Sequence, residues 1–83
     1  MVKGEEIMGK GEIRNAEEAT ERALLFLKAK YPLRRMTARP AKAIREDDFW
    51  SVDIDVGIVK VIIANFKIDA KTGEIIQYSI PLL

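Results

Sequence analysis

Apolar and polar residues alternate from Trp50 to Val56, through Ser51, Val52, Asp53, Ile54 and Asp55. That two-residue period predicts a strand with one buried face, opening at Phe49. A second alternating run covers Lys60–Ile68. Ile62, Ala64, Phe66 and Ile68 share one of its faces, and Val61, Ile63, Asn65 and Lys67 the other. Asp69-Ala70-Lys71-Thr72-Gly73-Glu74 follows as a turn, because Asp69 can accept from nearby backbone N–H groups and Gly73 tolerates a left-handed conformation. Ile75 to Ile80 returns as a last strand, offering Ile76, Tyr78 and Ile80 to the core, and Pro81 ends it.

Upstream the period changes. Ala16, Ala19, Ala23, Phe26, Leu27 and Ala29 include the spacing of a helix with one buried face, which Leu24 and Leu25 broaden. Asn15 is placed to cap the first turn, with Glu18 three residues on. Glu17, Glu18 and Glu21 suit the positive end of the helix dipole, and Lys28 and Lys30 the negative end. Pro32 forces the residue before it out of helical geometry, so the helix is expected over 16–30. Leu33 to Ala38 reads as a connector.

Arg39–Arg45 reads as a further strand. Pro40 has no N–H for a ladder, which places it at a sheet edge. With Asp47-Asp48 as a two-residue turn, Glu46 falls opposite Phe49, Arg45 opposite Trp50, Ala43 opposite Val52 and Ala41 opposite Ile54. Lys42 then meets Asp53 on the other face, and Arg45 can lie over the Trp50 ring. The expected fold is α+β: one N-terminal helix packed across a four-stranded antiparallel meander sheet. Residues 1–14, with Gly4, Gly9 and Gly11 and little periodicity, read as a flexible N-terminal arm. Residues 15–83 read as a single domain.

Composition narrows the chemistry. The 83 residues are 48% hydrophobic and 33% charged, as in a small folded domain. There is no Cys and no His, which removes disulfides, thiol nucleophiles, the usual general base and the commonest transition-metal ligand. Many Lys, Arg and Glu beside few amides (Asn15, Asn65 and Gln77) resemble the composition of a thermophile protein. No stretch reads as a signal peptide or a membrane span, so a cytoplasmic protein with no membrane partner is expected.

Net charge is +1, but it is unevenly spread. Seven bases and no acid lie from Lys28 to Arg45, and five acids and no base from Glu46 to Asp55. Lys30, Arg34, Arg35 and Arg39 are the candidates for binding nucleic acid or another anionic partner. Asp53 and Asp55 share a strand face as a carboxylate pair, which a solvated sheet face paired with Lys42 explains without catalysis. No Gly-rich phosphate loop is present, and no serine or threonine has a histidine to activate it. No enzyme, cofactor or metal site is expected. Phe49, Val61, Ile63 and Ile75, with Ile44, fall on the sheet face away from the helix. A half-buried sheet ordinarily has a polar outer face, so Phe49, Val61, Ile63 and Ile75 are the candidates for self-association as a homodimer.

Two motifs carry a family resemblance. Trp50-Ser51-Val52-Asp53-Ile54, after a helix, and Ile68-Asp69-Ala70-Lys71-Thr72-Gly73-Glu74-Ile75-Ile76 resemble the PepSY-like domains over residues 16–80. The resemblance implies a small binding or inhibitory module, in some cases linked to secreted peptidases, and not an enzyme. Ala43 to Trp50, Asp53 to Val56 and Gly73 to Tyr78 are also similar to the gas-vesicle accessory O family. The expected function is that of a small non-catalytic protein-interaction or regulatory module.

Overall fold

A computed structural model describes residues 11–31 and 38–81. It contains one helix, α1 (Ala16–Lys30), and four strands: β1 (Arg39–Glu46), β2 (Phe49–Asp55), β3 (Ile63–Asp69) and β4 (Ile75–Ser79). The strands form one antiparallel sheet in the order β1-β2-β3-β4. The helix lies across β1, β2 and β3 and reaches β4 through the rings of Phe26 and Tyr78, whose centroids are 4.8 Å apart. This is the expected α+β arrangement.

The helix starts where its cap chemistry places it. Asn15 is extended, and its Oδ1 accepts from the Glu18 N–H at 2.8 Å. The Glu18 carboxylate reaches back to the Arg14 N–H at 2.8 Å, one residue beyond the usual capping-box target. At the other end the Tyr31 N–H donates to the Leu27 carbonyl. Ala19, Ala23 and Leu27 form a fully buried row, in which the two alanines let the helix sit close on the sheet and Leu27 fills the core. Ala16 and Ala29 face outward instead.

The core joins that row to Trp50, Val52, Ile54, Val56, Ala64, Phe66, Ile68 and Ala70. Ile13 also belongs to it, at 1% exposure, with its N–H donating to the Ala70 carbonyl at 2.8 Å. The expectation of a flexible arm over 1–14 thus does not hold at Ile13, which is docked; residues 1–10 lie outside the described part. The connector over 33–38 and the C-terminal leucines also lie outside it, apart from Ala38.

The β1–β2 hairpin has the expected two-residue turn, with Asp47 in the left-handed region at φ 53°. Glu46–Phe49, Arg45–Trp50, Ala43–Val52 and Lys42–Asp53 are paired as expected, and the Arg45 guanidinium lies 5.9 Å from the Trp50 ring centroid. The register slips at Ala41, so Pro40, not Ala41, stands opposite Ile54. Such a bulge beside a proline lets the edge bend where a ladder donor is missing.

Two further differences bear on the surfaces. β3 begins at Ile63, three residues later than the alternation suggests, which leaves 56–62 as a loop. In β4 a second register shift sets Ile75 opposite Ile68, on the core side, and leaves Ile76 57% exposed. The period of two carries no mark of an inserted residue, and one such insertion exchanges the faces of everything beyond it.

Candidate interaction surfaces

The outer sheet face is more polar than alternation implies. At its centre the Asn65 amide Nδ2 donates to Asp53 Oδ1 at 2.7 Å and to Ser51 Oγ at 3.1 Å. Phe49 is half-buried beneath Lys67, whose ammonium lies 5.3 Å from the ring centroid. Ile44 and Ile63 remain exposed, and Val61 is exposed in the loop before β3. The four residues proposed for self-association are thus not brought together as one patch. Phe49 is partly shielded, Ile75 packs on the core, and only Val61 and Ile63 are neighbours on open surface.

The candidate anion-binding residues are also divided. The Arg39 guanidinium donates to Asp55 Oδ2 at 2.9 Å. The Lys30 ammonium stands 5.8 Å from the Phe26 ring and 5.9 Å from the Tyr78 ring. Arg34 and Arg35 lie outside the described residues. Asp53 and Asp55 do not form an open carboxylate pair either, since each has its own partners. Among the described residues no group of three or more acidic side chains is placed to hold a metal ion, and no helix is long and apolar enough to cross a membrane.

Asp55 has a role the strand pattern hides. It is buried at the end of β2, and its Oδ1 accepts from the Gly57 N–H at 2.9 Å and the Ile62 N–H at 3.1 Å. The hydrogen bond from Arg39 and those two N–H groups hold its carboxyl down at about 2. The Val56 N–H donates to the Ile62 carbonyl, closing the neck of the loop. Gly57 is buried against the Lys60 carbonyl, where a Cβ would collide with backbone. The loop is thus clamped at its base, yet at its tip Ile58, Val59 and Val61 are 69%, 97% and 68% exposed. An Asp two residues before a glycine, at the end of the alternating strand, was the sequence signal for a local turn here.

The two sheet edges contrast. β1 (Arg-Pro-Ala-Lys-Ala-Ile-Arg-Glu) carries four charges, a proline and a bulge. β4 (Ile-Ile-Gln-Tyr-Ser) carries no charge, and only Ile75 among its residues is half-buried. Its one irregularity is the shift at Ile76, next to its start.

No family model, curated protein or solved structure matches this chain.

Proposed function

We propose that the protein is a small non-catalytic interaction module, PepSY-like in the sense of its strand and turn motifs, that self-associates by strand pairing across β4. The observation that carries this reading is the contrast between the edges. An edge strand presents a row of unpaired backbone groups, and natural sheets block such rows with charge, proline or bulges. β1 has all three. β4 has an uncharged sequence with Ile76 and Tyr78 exposed, which suits addition of another strand. A second copy added antiparallel across β4 would make one continuous sheet with a two-fold axis.

This replaces the outer sheet face as the favoured contact, because that face has a hydrogen-bonded polar centre. The test is sedimentation equilibrium of the wild type and of Gln77→Lys, a substitution at an exposed position of β4. The wild type is expected to be a dimer at micromolar concentration whose melting temperature rises with protein concentration, and Gln77→Lys a folded monomer whose melting temperature does not. A wild type that stays monomeric to high micromolar concentration overturns the proposal.

A further inference from the structure

We infer that the 57–62 loop is an anchor for an anionic membrane surface, its apolar tip entering the interface while nearby bases meet lipid phosphates. The inference is independent of pairing across β4. Three observations carry it.

The first is that the tip is held out. A loop free to relax would fold apolar side chains back on the sheet. Here the Asp55 clamp, the Val56–Ile62 bond and the crowded Gly57 fix the backbone while Ile58, Val59 and Val61 stay in solvent. A preorganised apolar tip loses little conformational entropy when it docks.

The second is the charge around it. The two ends of the molecule differ in sign. The helix N-terminus, with Glu17 and Glu18, lies by the two hairpin turns, whose acids Asp47, Asp48, Asp69 and Glu74, with Glu12 and Glu46, outnumber the bases Arg14, Arg22, Arg45 and Lys71 there. The Ile13–Ala70, Ala70–Asp48 and Arg22–Gly73 hydrogen bonds tie those elements together. The opposite end holds the loop with Lys60, the start of β1 with Arg39, and the last helical turn with Lys28 and Lys30. Arg39 and Asp55 cancel as an ion pair, and Asp53, one pair further in, is held by Asn65, so Lys60, Lys28 and Lys30 give this end its positive charge. Tyr31, exposed at the C-terminal end of the helix, adds an aromatic ring with a polar tip to this end of the molecule.

The third is that this charge pattern selects the occupant. Apolar side chains interrupted by Lys60, at the end of the molecule that also carries Lys28 and Lys30, match the boundary between acyl chains and anionic headgroups. A second copy docking tip to tip would set Lys60 against its own equivalent, which like charge opposes. The acidic end of another copy offers matching charge, but it is built of polar turns. The expectation of no membrane partner rested on the lack of a spanning segment, and a surface anchor needs none.

The test is co-sedimentation of the full chain with vesicles of phosphatidylcholine containing phosphatidylglycerol, against pure phosphatidylcholine. Wild type is expected to pellet with the anionic vesicles and to be released in part by salt. Val59→Asp, at a fully exposed position, is expected to lower the partition coefficient about tenfold or more. Lys60→Ala is expected to lower it about fivefold. Both variants are expected to keep the wild-type melting curve. Failure of the wild type to pellet with anionic vesicles overturns the inference. So does undiminished pelleting of Val59→Asp, which means charge alone binds. A change of oligomeric state in lipid-free Val59→Asp also overturns it, since the tip is then a contact between proteins.

Discussion

Replacing Ile13 by alanine tests the largest departure of the fold from the pattern of its sequence. Ile13 is 1% exposed and sits in the core beside the β3–β4 turn, its backbone bonded to Ala70. Alanine keeps that backbone hydrogen bond, so the measurement isolates the side chain. Three carbons leave the core, at about 0.8 kcal/mol each, or about 2.4 kcal/mol of lost transfer free energy. A cavity left unfilled adds to this, and measured Ile→Ala changes in cores span about 2–5 kcal/mol. A loss of about 3 kcal/mol is expected. At about 0.05–0.15 kcal/mol per residue, the whole domain is stable by roughly 4–12 kcal/mol, so the loss is a large fraction of the total. In a domain of this size it lowers the melting temperature by about 12–24 °C. Urea unfolding followed by the fluorescence of Trp50, the one tryptophan, reads it directly. Ile58→Ala, at an exposed loop position, serves as the comparison and is expected within about 0.5 kcal/mol of wild type. If Ile13→Ala matches that surface variant, Ile13 is not docked and the core is smaller than described.

The clamp at Asp55 makes the fold acid-sensitive in a defined window. Its carboxyl is held at about 2 in the folded chain, against about 3.9 in an unfolded one. A depressed carboxyl stabilises fully above the unfolded value, and that contribution is lost as pH falls through the folded value. The urea midpoints of wild type and Asp55→Asn should therefore differ most near neutral pH and converge between about pH 4 and pH 2; a gap independent of pH contradicts the assignment. Asp69, lowered by the Thr72 and Lys71 N–H groups, is present in both chains and cancels from the comparison. Gly57→Ala, whose Cβ meets the Lys60 carbonyl, should destabilise by more than about 1 kcal/mol, where a compatible Gly→Ala exchange stabilises, and a neutral result in thermal melting would show that the neck is loose.

Much of this architecture was legible from local chemistry. The helix bounds follow from Asn15 and Glu18 at one end and the proline at the other, because caps act within one turn. The first hairpin follows from Asp47-Asp48 and from the pairing of small Ala43 with Val52 and of Lys42 with Asp53, since register and face are linked by the period of two. What stayed hidden were events that leave the period intact. One residue inserted at Ile76 turned Ile75 from the outer face to the core, and the slip at Ala41 did the same kind of thing to β1.

The surfaces were decided later still. By itself the sequence determined the elements, their order and most of one sheet face, because each depends on residues a few positions apart. Only the tertiary structure decided that Ile13 is core, that Asn65 makes the outer face polar, and that Asp55 and Gly57 hold an apolar tip in solvent. Those outcomes depend on partners between 2 and 57 residues away in the chain, from the Gly57 N–H on Asp55 to Ala70 against Ile13. Only the folded sheet sets such partners side by side. The contrast between a charged β1 edge and a bare β4 edge lies between the two: its residues were readable, but that these strands are the edges is a property of the sheet.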